Sequence, residues 1–196
     1  MDQRIEIEAT AWAEFEVLME RNANEGFNRV FKEVWLHWER HGWHHWMPIS
    51  DARAFQENVR LIIRSWAAIR YSKHRLTQLQ NASFSFWVFF HGNYAQPRPL
   101  HQAWDGIALH GDHPFWETHF PPCGWGCGCY VSGARSVAGV RRLGGDPDLE
   151  LPLGWNVPLP QTGLLLGIDW HWEGQRWPTL LQIVEAVANG KVRSHA

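Results

Sequence analysis

The stretch RPLHQAWDGIALHGDHPFWETHFPPCGWGCGC, residues 98–129, carries most of the information in this chain of 196 residues. It places four histidines and three cysteines among prolines, glycines and tryptophans. Proline and glycine interrupt helical hydrogen bonding, so we do not expect a regular helix here. We expect an ordered, loop-rich element shaped by ring stacking and turns, with a metal ion or a thiol pair as further candidates. Residues 98–129 are called the motif loop below.

The composition is that of a folded protein. Hydrophobic residues make up 45% of the chain, and 14 tryptophans favour broad contacts in a core or with a partner. The formal net charge of -2 gives no overall attraction to nucleic acid or to acidic membranes. Any contact with DNA would therefore be local.

The expected compartment is a reducing cytoplasm. The chain has no run of about eighteen apolar residues, so we expect no membrane-spanning segment and no membrane partner. Its first residues, MDQRIEIEATAWAEF, are acidic and lack the apolar core of a signal peptide. Three cysteines within one short segment do not make a disulfide framework.

Helical spacing of apolar residues dominates the first part of the chain. It predicts two helices, or one bent helix, that end near His41 and Gly42. A long helix should follow from Ala52 to Leu79. The residues expected in its buried stripe are Phe55, Val59, Ile62, Ile63, Trp66, Ile69 and Leu76.

The later part of the chain predicts short strands and an irregular end. Residues 84–90 alternate like a strand buried on both faces, and 130–132 should form another strand. A short helix after Pro178 follows a segment rich in proline and glycine. We therefore expect an α+β chain: an N-terminal helical region (1–82), a motif region with a small sheet in the same compact domain (83–135), and an irregular C-terminal arm with a short helix (136–196).

The cysteines of the motif loop suggest a metal site. Three thiolates, from Cys123, Cys127 and Cys129, with the imidazole of His101, would suit tetrahedral zinc. Structural zinc sites prefer two residues between paired cysteines, and here one residue separates the last two. The alternatives are small buried cysteines in a glycine-rich turn, or a disulfide, which a reducing compartment disfavours. Apart from zinc, no cofactor is expected.

The order of residues in the motif loop resembles the phage Mu F-like minor head protein family, also called phage head morphogenesis proteins. The resemblance is dense over residues 84–131 and extends weakly into the long helix at Arg64-Ser65 and Arg70-Tyr71. Matching positions include Arg98, Pro99, His101, Asp105, Gly106, His113, Pro114, Phe115, Trp116, Pro121, Pro122, Gly124, Trp125, Gly126, Cys127 and Cys129.

Several residues depart from the family's usual pattern. Gly128 stands where an arginine is usual, Trp66 where an acid is expected, and Asn93 near a common aspartate. Cys123 replaces what is more often a small polar residue. The first three changes remove charged groups that could orient a substrate, so they weaken a catalytic interpretation.

The resemblance implies a component of the virion or procapsid that acts in head assembly near the portal. Its partners would be the portal, the scaffold or the major capsid protein, and the motif loop would be a rigid docking element without catalysis. In that picture His101 bonds to backbone in the loop, and Asp105-Gly106 forms a turn. Trp116 and Trp125 would pack over the prolines, and Arg98 would pair with an acid or a carbonyl.

Two other functions stay open. Related domains are fused to toxin modules, so ADP-ribosyl transfer or nuclease activity is conceivable, with His101–Asp105 or His110–Asp112 as acid–base pairs. No nucleophile, phosphate cradle or carboxylate pair stands at a recognisable spacing. The long helix also carries a basic side that could touch packaged DNA, although a solvated face is the favoured explanation. Its residues are Arg64, Arg70, Lys73 and Arg75, near Arg60 and His74.

A second group of histidines consists of His37, His41, His44 and His45. The first two lie one helical turn apart, so a metal could bridge them. The tryptophans around them favour a packing surface or a partner-binding face instead.

Overall fold

The computed structural model describes residues 3–42, 52–92, 98–169 and 177–188. Within these residues, one small antiparallel sheet is combined with helices, which confirms the α+β class. The helices are α1 (Gln3–Arg21), α2 (Phe27–His41), α3 (Ala52–Asn81), α4 (Pro99–Ala103), α5 (Phe115–His119), α6 (Val137–Arg142) and α7 (Leu180–Ala188). The strands are β1 (Phe86–Phe90), β2 (Ala108–His110) and β3 (Tyr130–Ala134).

The described residues divide into two compact units. The first contains residues 3–42, 52–67 and 178–188, and the second contains 68–92, 98–169 and 177. Helix α3 contributes to both, because the division falls after Ala67. The boundaries near residues 82 and 135 are placed by the position of the sequence motif, whereas the two units are defined by contacts. Those sequence-based boundaries therefore stay a prediction.

The first unit is built around aromatic side chains on its helices. The Phe15 ring of α1 lies 6.1 Å from the Trp38 ring of α2, which lies 5.3 Å from Phe55 of α3. Helix α2 ends where Gly42 adopts a left-handed conformation with φ of 68°, which glycine reaches without strain. The predicted N-terminal helices and their end near His41 are therefore confirmed. No described helix has the length and apolar character needed to cross a membrane.

The second unit contains a three-stranded sheet in the order β2-β1-β3, antiparallel throughout. Side chains alternate along β1. Trp87 and Phe89 pack into the core formed by the motif loop, whereas Val88 packs with Val140 of α6 on the opposite face. The prediction that this strand is buried on both faces is confirmed.

The motif loop has more regular structure than its sequence indicates. It contains α4, β2 and α5, each only three to five residues long. Elements this short give no periodic pattern, so they could not be recognised from spacing. Along α3, six of the seven residues of the predicted stripe are buried, and Trp66 is half-buried.

The C-terminal arm of the second unit is irregular from Gly144 to Asp169, as expected from its proline and glycine content. Turns and backbone bonds hold it in place, among them a 2.7 Å bond from the Asp146 N–H to the Gly106 carbonyl. The last six residues of this segment, 164–169, reach the motif loop and are called the closing segment.

Candidate functional site

A salt bridge joins the start of the motif loop to the closing segment. One guanidinium nitrogen of Arg98 donates to the Asp169 carboxylate at 2.6 Å and to the Trp125 carbonyl at 2.7 Å. The same carboxylate oxygen accepts the Trp125 N–H at 2.9 Å. Burial raises the pKa of the Asp169 carboxyl, and the neighbouring guanidinium opposes that rise. Both kinds of partner expected for Arg98, an acid and a carbonyl, are present.

His101 lies at the centre of the second unit and is almost fully buried. Its Nε2 lies 2.8 Å from the Gly167 carbonyl. Because a carbonyl only accepts, the neutral ring carries its proton on Nε2 and leaves a lone pair on Nδ1. His101 therefore bonds to backbone as predicted, although the carbonyl belongs to the closing segment and not to the motif loop.

Nδ1 of His101 faces two thiols. It lies 3.6 Å from Sγ of Cys127 and 3.5 Å from Sγ of Cys129. These three residues are buried, and their ligand atoms all lie within 4.8 Å of one another. They are called the His–Cys–Cys cluster below. Three of the four residues predicted as metal ligands are thus brought together.

Cys123, the fourth predicted ligand, lies outside that cluster. Its thiol donates to the His119 carbonyl at 3.2 Å. Burial raises the pKa of this thiol well above its usual range. Hydrogen bonding from Cys129 holds the pKa of Cys127 well below the usual range, and the bond to Cys127 together with burial raises that of Cys129.

His119 also bonds to the closing segment. Its Nε2 lies 3.0 Å from the Leu166 carbonyl, and its Nδ1 lies 2.6 Å from the Thr118 hydroxyl. The ring stacks on Phe115 with centroids 4.7 Å apart. Burial lowers the pKa of His119 to about 4, so the imidazole is neutral at neutral pH.

The predicted turn at Asp105-Gly106 is confirmed. The Asp105 carboxylate accepts the backbone N–H of His91 at 2.8 Å, and Gly106 adopts a φ of +87°. The N–H of Gly106 donates to the Phe89 carbonyl at 2.9 Å, which ties the turn to β1. Asp105 thus stabilises backbone, and its partner is not His101.

The remaining motif residues build the core of the second unit. Phe115 and Trp116 are buried on α5, which begins directly after Pro114, and the Trp116 indole N–H donates to the His110 carbonyl at 2.9 Å. Gly124 lies so close to Asp169 that an added Cβ would overlap the carboxylate. Three further motif residues are buried in the same region: Pro121, Pro122 and Trp125.

Sequence reasoning missed the closing segment. Asp169 is the first charged residue after Glu150, so a lone carboxylate in an apolar stretch was the available signal. The Leu166 and Gly167 carbonyls left no signal, because every residue has one. Hydrogen bonds between residues that are 47 to 71 positions apart leave no local pattern in the sequence.

The basic residues of α3 have different surroundings. The Arg75 Nε donates to the Val131 carbonyl at 2.9 Å, and the Arg64 guanidinium lies 6.0 Å from the centre of the Phe27 ring. Lys73 is exposed, and Arg70 is half-buried. A basic face for DNA stays a prediction.

The second histidine group bonds to α1. His37 Nε2 lies 3.1 Å from the Ala11 carbonyl, and His41 Nε2 lies 2.9 Å from the Glu14 carboxylate. Burial lowers the pKa of His37. Glu14, His37 and His41 could hold a metal, but their bonds explain helix packing without one. The other histidines of the group, His44 and His45, lie outside the described residues, as does Asn93.

A small cavity lies beside the His–Cys–Cys cluster. Its volume is about 400 Å³. Cys129 contributes to its wall, so one member of the cluster borders this space. The other lining residues are Ala68, Tyr71, Gly128 and Tyr130.

Over part of its length the chain is similar in sequence to phage Mu F-like proteins, which confirms the resemblance. The chain is 33% identical over 76 residues to a protein of Escherichia phage Mu named "Putative capsid assembly protein F". It is 29% identical over 94 residues to the "Mu-like prophage FluMu F protein" of Haemophilus influenzae.

The two matches cover 38% and 45% of this chain, but only 17% and 22% of the relatives. The chain thus matches less than a quarter of either protein. No family model and no solved structure matches the chain.

Proposed function

We propose that this chain is a phage or prophage head assembly protein that acts through protein–protein contacts and not through catalysis. The name of the phage Mu relative, which refers to capsid assembly, supports this function. The chain would then be part of a virion or procapsid, and it would reach that site from the host cytoplasm.

The observation that carries the proposal is that polar side chains of the motif loop form hydrogen bonds within the protein itself. Arg98, His101 and His119 each contact a backbone carbonyl of the protein itself. Catalytic groups need access to a substrate, whereas groups tied to backbone make a loop rigid. This arrangement favours a preformed element over a reaction centre.

The arm of the second unit offers apolar side chains for a contact. Leu153 is 99% exposed and Val157 is 58% exposed, on a segment rich in proline and glycine. Covering exposed aliphatic side chains removes apolar surface from water, which favours a contact with a partner. We infer that this segment contacts a head component near the portal: the portal, the scaffold or the major capsid protein.

The test is co-purification with the head proteins encoded beside this chain. Tagged full-length chain is expected to retain at least one of the portal, scaffold and major capsid proteins. Val157→Asp should weaken that retention, because a carboxylate would be desolvated in the contact. Val17→Asp is the matched control, since Val17 is 67% exposed and belongs to the first unit.

Two results would contradict the proposal. One is the failure of the wild-type chain to retain any of the three proteins. The other is catalysis, such as transfer from labelled NAD or cleavage of DNA by the purified chain.

A further inference from the structure

The ligand atoms of the His–Cys–Cys cluster have the spacing of a zinc site. With Zn–N of about 2.0–2.1 Å and Zn–S of about 2.3 Å, a tetrahedral ion separates a nitrogen from a sulfur ligand by ~3.6 Å. The distances from Nδ1 of His101 to the two sulfurs are 3.5 and 3.6 Å. Both nitrogen–sulfur distances therefore match those around a tetrahedral zinc ion.

The orientation of the His101 ring also fits a zinc ligand. Its Nε2 is bound to the Gly167 carbonyl, which leaves Nδ1 with its lone pair directed at the thiols. A ligand histidine held by a carbonyl on its other nitrogen is the usual arrangement around protein-bound zinc. An ion at these distances from Nδ1 and from both sulfurs could bind all three groups at once.

Charge and burial also agree with a divalent ion. Two thiolates and Zn²⁺ sum to zero, so the occupied site would add no net charge to a buried region. Thiolate and imidazole ligands favour zinc over magnesium or calcium, which prefer oxygen. Cys129 borders the cavity of about 400 Å³, which gives an ion a path and leaves room for water as a fourth ligand.

We propose that His101, Cys127 and Cys129 bind one Zn²⁺ ion, with a water molecule in the fourth position. The ion would tie α4 to the end of the motif loop, and through His101 to the closing segment. Cys123 is not a ligand, because its thiol bonds to the His119 carbonyl instead. This site does not depend on the proposed function in head assembly.

The first experiment measures metal in the full-length chain, purified without chelators from cells grown with added zinc. Wild-type protein is expected to carry about one zinc ion per chain. Cys129→Ala should reduce that content at least about tenfold, because two ligands hold zinc far more weakly than three. Cys123→Ala is the matched control, since Cys123 is equally buried and lies in the same loop, and it should keep its zinc.

The second experiment uses wild-type protein alone, so it does not depend on whether a variant folds. Metal-free chain is titrated with Co²⁺, and thiolate-to-cobalt absorption should appear and saturate at one equivalent. Added Zn²⁺ should displace the cobalt and raise the melting temperature. A folded wild-type chain that shows neither stoichiometric zinc nor the cobalt band would overturn the proposal, as would equal loss of zinc in Cys123→Ala.

Discussion

The guanidinium of Arg98 and the carboxylate of Asp169 meet at 2.6 Å across 71 residues of sequence. Each side chain is about one-fifth exposed, so water screens the pair only in part. The Trp125 backbone completes the arrangement, with its carbonyl on Arg98 and its N–H on Asp169. The pair thus fixes both ends of the motif loop to the closing segment.

Replacing Arg98 should destabilise the second unit. We expect Arg98→Met to lower the free energy of unfolding by about 2–3 kcal/mol, because Asp169 loses its charged hydrogen-bond donor while staying largely buried. Urea denaturation followed by tryptophan fluorescence measures the change. The double variant with Asp169→Asn should recover part of the loss, and strictly additive effects of the two substitutions would contradict the coupling.

The same variant has a defined pH dependence. Burial already raises the pKa of Asp169 in the folded chain, and removing Arg98 raises it further. A carboxyl whose folded pKa exceeds its unfolded pKa binds more protons in the folded state, so stability falls as pH rises. The cost of Arg98→Met should therefore be smaller in acid than at neutral pH.

Gly124 is predicted to tolerate no side chain. A Cβ there would overlap the Asp169 carboxylate, so Gly124→Ala should cost about 2–3 kcal/mol through overpacking and disturbance of the ion pair. Gly139→Ala is the control in the same unit, because its Cβ would meet atoms no nearer than 3.4 Å. It lies in α6, where alanine should gain about 0.5–1 kcal/mol over glycine. Equal unfolding midpoints for the two variants would contradict this prediction.

Alanine substitutions at Gly167 and Gly163 distinguish the cost of a steric clash from the cost of backbone strain. Both have a φ of +74°, so alanine at either position should cost about 1–2 kcal/mol. A Cβ at 167 would also collide with the Trp104 indole, whereas nothing lies within 4 Å of one at 163. We expect Gly167→Ala to be about 2 kcal/mol more destabilising than Gly163→Ala. Thermal unfolding of the two variants side by side gives the difference.

The neutral His119 predicts loss of stability in mild acid. Its pKa is 6.5 when unfolded and about 4 when folded, so the unfolded chain binds more protons between these values. Stability is then fully present above pH 6.5 and decreases by about 3 kcal/mol as pH falls to about 4.

His119→Gln should remove this component while keeping a donor for the Leu166 carbonyl. The measurement is the difference in unfolding free energy between wild type and variant across that pH range. A difference that does not change with pH would show that His119 does not titrate with folding.

The long elements could be predicted because their patterns repeat. Apolar residues recur over enough turns to mark α1, α2 and α3, and alternation marks β1. Helices α4 and α5 comprise five residues each, so they depend on contacts rather than on a pattern of their own. Tertiary packing decides structure at that length.

The site was predictable where its parts are close in sequence. His101, Cys127 and Cys129 were singled out because they lie in one short, unusual stretch, and the structure brings them together. Spacing alone grouped Cys123 with them, although its thiol is directed to the His119 carbonyl. The backbone direction of a tight turn decides which thiols converge, and composition does not contain that information.

The closing segment means that the motif loop is not a portable module. Grafted into another host fold as residues 98–129, it would arrive with Arg98 lacking its carboxylate and with two histidines lacking their carbonyls. A shortened chain that stops at 163 would suffer the same loss. Any minimal fragment of this protein must extend to Asp169. A substitution at Arg98 or at Asp169 must be matched by a compensating substitution at the other residue.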